Sequence, residues 1–417
     1  MKRNKTFLPN LGTTMVVAIA ALIVAQVLVP DVWAASRYRT LYRFKGGTDG
    51  NTPEAGLIFD RAGNLYGTTQ LGGANNCDGA GCGTIFRLSP NRNGTWTENV
   101  LHSFSFQGAW DPQYAGLIFD ASENLYGATP KGGSYGGGTV FELTNGTWNE
   151  TILHSFSSSG NDGYGPSGRP IFDHAGNLYG TTYQGGIYSG GTVFQLTPNR
   201  DGSWTENILY SFHQYGNDGW YPVAGLILDA AGNLYGTTQF AGTSGTGTVF
   251  QLSPNGDGSW TESVLHTFNG QDGSQPWAGL IFDSAGNLYG TTQLGGAYGY
   301  GTVFRLSLNV DGSWQESVLH SFQRSTKDGC VPYGLLIFDK AGNLFGATAG
   351  CGAYGYGTVF ELKASATDWE EAVLHSFRDL PGAYPVSALV FDARGRLYGT
   401  TSGDNKTTFG SVFAITP

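Results

Sequence analysis

Charge is scarce in this sequence. Only 13% of its 417 residues are Asp, Glu, Lys or Arg, and basic residues are outnumbered 22 to 32. A chain without a basic excess lacks the electrostatic footprint of a nucleic-acid binder, so no nucleic-acid partner is expected. Catalytic signatures are missing as well: there is no phosphate-binding loop, no H-E-x-x-H and no C-x-x-C. A G-x-S-x-G match at Gly132–Gly136 has no helix after it and no partnered His, so it is read as chance. No helical periodicity is present. No cofactor and no metal site is expected.

What is present begins with one long apolar run, "MVVAIAALIVAQVLV" (15–29). It follows Lys2, Arg3 and Lys5 and precedes the small residues of "VWAAS" (32–36). This pattern predicts a signal peptide, residues 1–34, cleaved after Ala34. The run is shorter than the roughly 20 residues that span a bilayer. No Cys follows it, and no apolar tail precedes Pro417, so neither a lipoprotein anchor nor a C-terminal anchor is expected. Removing Lys2, Arg3, Lys5 and Asp31 leaves 19 basic and 31 acidic residues, net −12. A secreted or periplasmic monomer, free of the membrane after cleavage, is expected.

Residues 35–417 are dominated by one phrase. "FDSAGNLYGTTQLGG" (282–296) nearly repeats "FDRAGNLYGTTQLGG" (59–73). Seven copies carry Asp60, Asp120, Asp173, Asp229, Asp283, Asp339 and Asp392, at steps of 60, 53, 56, 54, 56 and 53 residues. A period of this size means a repeat architecture.

One unit reads as four strands. "GLIFD" (279–283) is strand a, a short apolar run. "NLYGTT" (287–292) is strand b, "GTVFRL" (301–306) strand c, and "WQESVLHSF" (314–322) strand d. Gly, Asn and Asp-Gly turn signals separate them. Seven such units predict an all-β chain folded as a seven-bladed β-propeller, four antiparallel strands per blade. The first segment after the expected signal peptide, "RTLYRF" (39–44), copies the end of strand d, while 388–417 supplies strands a, b and c only. The two ends together make the seventh blade and close the ring, which removes a sheet edge. The repeated Asp is expected to accept backbone N–H groups in the a–b turn.

The pattern GLIFDxAGNLYGTT…GTVFxL resembles the bacterial tandem-repeat family called GloVer, the choice-of-anchor repeat proteins. The likeness covers about 380 residues. D-x-x-G-N-L-Y is more distantly similar to NHL-type and gluconolactonase-like propeller repeats. The resemblance implies an extracellular or cell-surface bacterial protein and no established activity. Members carry C-terminal anchors; this chain shows none, which favours free secretion or the periplasm.

Residues constant across blades are expected to be scaffold, and residues that vary at accessible positions are the functional candidates. His102, His154, His266, His320 and His375 share one strand-d slot and are read as packing. The six W-x-E carboxylates fall one to a blade, too dispersed for acid–base work. The slot six residues before each repeated Asp, at the mouth of the ring axis, reads Glu54, Tyr114, Ser167, Val223, Trp277, Tyr333 and Val386. Two residues further on, Arg169 is the lone charge. Trp110, Trp220 and Trp277 lie in d–a loops with Tyr221 and Tyr384, and His213 is the one His in a variable loop of that face. The d–a and b–c loops should emerge together, gathering aromatic rings on one face. The primary expectation is a non-catalytic binding module for a glycan or other extracellular polymer. Two other readings stand beside it: a sugar-active lyase or lactonase, for which Tyr side chains, His213, Arg169 and Glu54 are the available groups, and a structural or protein-interaction scaffold. Convergence of His213, Arg169 and Glu54 in one pocket would favour the enzyme.

The four Cys admit three pairings. Cys77 and Cys82 both lie in the first b–c loop, five residues longer than the others. Cys330 and Cys351 lie in two loops of blade six that face the same way. Pairs Cys77–Cys82 and Cys330–Cys351 are expected.

Overall fold

The computed structural model describes residues 36–114, 116–240, 245–365, 368–379, 382–404 and 408–417. The segment read as a signal peptide lies outside the described residues. The chain divides into Met1–Ser36 and a compact unit, Arg37–Pro417. No helix among the described residues is long and apolar enough to cross a membrane.

The compact unit is a seven-bladed β-propeller with four antiparallel strands per blade. In blade 5, strands a to d are Ile281–Phe282, Leu288–Thr292, Thr302–Leu308 and Trp314–Ser321. Strand b, LYGTT, is buried at all five positions, which explains its unbroken apolar and small-residue run. Its glycine is demanded by packing. A Cβ on Gly290 would lie 2.6 Å from the ring of Phe304 on strand c.

Strand a departs from expectation. Of the five residues predicted, two pair with strand b in most blades, here Ile281 with Tyr289 and Phe282 with Leu288. The residues before them are held by the preceding blade instead. Thr237 of blade 4 donates to the Ala278 carbonyl, and Thr68 of blade 1 to the Pro112 carbonyl. The fourth residue of LYGTT therefore bridges blades and holds the incoming chain off its own ladder. Blade 3 alone has a long first strand, Gly163–Phe172.

Phenylalanine seals the blades to one another. The Phe ending each strand-d phrase meets the strand-c Phe of the next blade edge to face. All seven junctions show this contact, with centroids 5.0–5.3 Å apart. A second interlock uses glycine and proline. Gly301 at the start of strand c has φ +101°, and a Cβ there would lie 2.6 Å from Pro332 of the next blade. Only glycine tolerates both the dihedral and the contact.

The ring closes as predicted from the termini. Arg37–Arg43 pairs antiparallel with Ser411–Thr416, matching Arg37 to Thr416 and Arg43 to Ser411. This strand begins two residues earlier than the sequence phrase suggests. Phe44 against Phe86 and Tyr398 against Phe59 repeat at the closure the contacts found between other blades.

Candidate functional site

The repeated aspartate is a turn anchor. Asp283 Oδ1 accepts the N–H groups of Ala285 and Asn287, each at 2.9 Å. Its Oδ2 accepts the Asn287 amide at 2.7 Å and the Tyr289 hydroxyl at 3.1 Å. Phe345 replaces the tyrosine in blade 6, and Arg396 replaces the asparagine in blade 7, where it pairs with Asp392. These donors, acting against the cost of burial, hold Asp173, Asp229, Asp283 and Asp392 below the ordinary carboxylate range.

The d–a and b–c loops share one face and are sewn together by backbone. Tyr221 N–H donates to Gly190 O, Val331 N–H to Tyr300 O, and Tyr384 N–H to Tyr356 O. In each case the loop entering one blade grips the b–c loop of the blade before. The disulfide Cys77–Cys82 lies within one b–c loop, and Cys330–Cys351 ties a d–a loop to the end of its blade's strand b.

At the centre of this face the strand-a starts enclose a cavity of about 650 Å³. Glu54, Tyr114, Arg169, Trp277 and Tyr333 all line it. Tyr114 comes from blade 2, Trp277 from blade 5 and Tyr333 from blade 6, yet the three rings meet across the axis. Tyr114 and Tyr333 lie nearly parallel with centroids 6.3 Å apart, and Trp277 stands edge-on to both, at 6.2 and 5.7 Å. All three remain half-buried.

The charged residues of the cavity have no saturating partners. Burial raises Glu54 to about 7; Gln113 opposes this shift and the negative charge of Asp111 adds to it. Glu54 Oε2 is enclosed without a hydrogen-bond partner. Arg169 faces the water space of the cavity but is walled by protein, and that surround lowers its guanidinium from the ordinary value. Its side chain lies over Gly116 of the neighbouring blade. Among the described residues it makes no ion pair.

The other candidates sit elsewhere. Trp110 stacks on Phe106 and carries the Lys131 ammonium 4.7 Å from its ring. Trp220 belongs to a separate cluster with Tyr215, Tyr221 and Phe240. Tyr384 packs edge-on against Tyr356. His213 lies at the outer end of strand d in blade 3, stacked on Tyr188 at 3.6 Å and 3.2 Å from Asp218 Oδ2. It is not among the residues lining the axial cavity.

Two further features stand out, the second of them missed in the reading of the sequence. One is a repeated b–c loop tyrosine: Tyr135, Tyr188, Tyr298 and Tyr354 occupy one slot and are 47–69% exposed. These rings belong to the aromatic set expected on the d–a/b–c face, and two of them also have neighbours: Tyr188 stacks on His213, and the Arg378 guanidinium lies 4.1 Å from the Tyr354 ring. The other is the blade seam. The W-x-E carboxylates are not isolated. Glu206 approaches His154 of the preceding blade at 3.6 Å, and Asp162 of the d–a loop lies 3.7 Å from the same His. The repeated Asp-Gly dipeptide of the d–a loops was the available signal, and it reads equally well as a turn.

Fold and site together define a β-propeller built of tandem repeats, with its variable rings on one loop face. The chain belongs to the Gloeobacter/Verrucomicrobia repeat family, whose model matches residues 78–261 and 256–417. No curated protein matches it. Three solved structures illustrate its likenesses. A protein of unknown function from Dyadobacter fermentans is 12% identical, with TM-score 0.48, over 91% of this chain and 98% of that one. A luciferin-regenerating enzyme is 16% identical, with TM-score 0.43, over 72% and 90%. A putative gluconolactonase is 14% identical, with TM-score 0.41, over 82% and 95%. None of the three carries a functional inference for this chain.

Proposed function

We propose that the protein is a non-catalytic binding module for a glycan or other extracellular polymer, held on the d–a/b–c face. The observation that carries this reading is the meeting of Tyr114, Trp277 and Tyr333 over the axial cavity. Rings with apolar faces and polar edges suit sugar rings, which present C–H faces rimmed by hydroxyls. Arg169 and Glu54, which line the same cavity, supply a donor and, in the unpartnered Oε2, an acceptor. The exposed tyrosines at the rim add lower-affinity contacts for a long chain, and several weak contacts on one polymer reinforce one another.

The enzyme reading would need a base beside Glu54 and Arg169. His213, the one imidazole among its candidate groups, is held at the end of strand d and does not line the cavity. Export is part of the proposal: two disulfides suit an oxidising compartment, and the basic–apolar–small pattern of residues 1–34 suits cleavage by a signal peptidase. A glycan-array screen of the purified protein tests the function. Binding to a defined class of polysaccharide supports it; a blank array together with capture of a specific protein partner would replace it with the scaffold reading.

A further inference from the structure

Ligand-type side chains recur at the seams between blades, away from the axial cavity. Each seam draws on three slots: the strand-d His or Tyr of one blade, the Asp of the next blade's entering loop, and the W-x-E carboxylate of that next blade. Substitutions differ from seam to seam. Between blades 3 and 4 the first slot is Tyr210, and between blades 7 and 1 it is Tyr42. Between blades 1 and 2 the loop has Gly108 where other loops have Asp, leaving His102 with Glu150 alone. Between blades 6 and 7 the carboxylate slot is Tyr38, stacked on His375. Full sets remain at three seams, and at two of them the donor atoms converge.

We propose that the seam between blades 2 and 3 and the seam between blades 5 and 6 each bind a divalent transition-metal ion of zinc type. His154, Asp162 and Glu206 form the first site, and His320, Asp328 and Glu371 the second.

In both, one imidazole nitrogen and two carboxylate oxygens lie within 4.8 Å of one another. His154 Nε2 is 3.7 Å from Asp162 Oδ1 and 3.6 Å from Glu206 Oε1. Those spacings are long for hydrogen bonds. Two ligands at about 2.1 Å from a tetrahedral ion are separated by about 3.4 Å, so they suit atoms sharing one metal. Unused bonding capacity is common to the seams, since Glu98, Glu262 and Glu316 each also leave Oε1 without a partner, but among the described residues it coincides with convergent donor atoms only at these two. His154 Nε2 and Glu206 Oε1 in the first seam, and Glu371 Oε1 in the second, are shut from solvent without a hydrogen-bond partner. Such atoms are costly unless something supplies the missing interaction.

The second site is also braced. Asp328 is 3% exposed. Its Oδ2 accepts the Gln323 N–H at 2.9 Å, leaving Oδ1 turned to His320 Nε2 at 3.3 Å. Two residues on, Cys330 is bonded to Cys351, which pins the loop that carries Asp328. One imidazole with two carboxylates selects a transition metal over Ca²⁺ or Mg²⁺, which prefer an all-oxygen shell. Three protein ligands leave a fourth position for water. Because the ligands come from two blades, each ion would cross-link its seam.

The test uses purified, tag-free protein treated with a chelator, loaded with zinc sulfate and desalted, with bound zinc counted by elemental analysis. Wild type is expected to retain two zinc ions per chain. Glu206→Gln, a near-isosteric change that keeps the fold, should retain one. Glu206→Gln combined with His320→Ala should retain none, while His102→Ala should still hold two. Zinc should raise the melting temperature of wild type and not that of the double variant. Wild type that retains no zinc, or a folded double variant that retains as much as wild type, overturns the proposal.

Discussion

Tyr38 lies flat on His375, ring centroids 4.0 Å apart and planes 5° from parallel. The contact joins the first described strand of the propeller to blade 6. It stands in the slot where other seams place a glutamate. A ring pair here replaces a carboxylate–imidazole pair and fastens the closing strand from its outer edge. Tyr38→Ala is expected to destabilise the protein by about 1–3 kcal/mol, combining a lost aromatic pair with lost burial. Tyr135→Ala, at an exposed slot, should leave the melting temperature unchanged. Deleting residues 37–43 exposes strand c of blade 7 as an open edge, and soluble yield should collapse through aggregation. Wild-type melting by the Tyr38→Ala protein would show that the closure does not depend on this contact.

The two disulfides should differ in weight. They close loops with sequence separations of 5 and 21 residues. Loop-entropy reasoning gives about 2 kcal/mol for the shorter and about 3 kcal/mol for the longer. The paired substitution Cys330→Ser with Cys351→Ser should therefore lower the denaturant midpoint more than Cys77→Ser with Cys82→Ser. The reverse order would mean that native-state geometry, not loop length, sets their contribution.

Glu262 offers a pH test without a histidine. It faces Tyr210 and Asp218 across the seam of blades 3 and 4, and Asp218 accepts the Tyr210 hydroxyl at 2.9 Å. Burial, and then the charge of Asp218, raises Glu262 from 4.5 to about 7. A carboxyl raised on folding contributes stability that is complete below its unfolded value and is lost as pH rises through about 7. Glu262→Gln should thus match wild type at pH 5 and melt higher than wild type at pH 8. An equal difference at both pH values would rule out titration of this group as the cause.

Strand periodicity, turn residues and the unequal ends made the propeller and its closure legible from the sequence. The repeated Asp was legible too, because an Asp four residues before an Asn across a glycine turn has an obvious local partner. Strand a was over-read, since the bonds that pull it from its ladder come from threonines about 41–44 residues away in sequence. The site was legible in part. Glu54, Tyr114, Arg169, Trp277 and Tyr333 were singled out and do share the axial cavity. Trp110, Trp220, Tyr221, Tyr384 and His213 lie apart from it. Sequence spacing places a residue in a loop but does not say whether its ring turns to the axis or to the rim. The seam clusters were missed because their members come from adjacent blades.

The central claim rests on Trp277 and its two tyrosine neighbours. Its most direct test is an equilibrium titration of wild type, Trp277→Ala and Trp260→Ala with the polysaccharide class selected on the array, with melting curves for all three. Trp260 is a seam ring, edge-on to Tyr179 at 6.4 Å and half-buried. Its loss should cost about 2 kcal/mol of stability, with affinity unchanged. Loss of Trp277 should weaken binding by roughly thirtyfold, as truncation of a hot-spot ring does, with little change in melting. Wild-type affinity in Trp277→Ala would contradict the account.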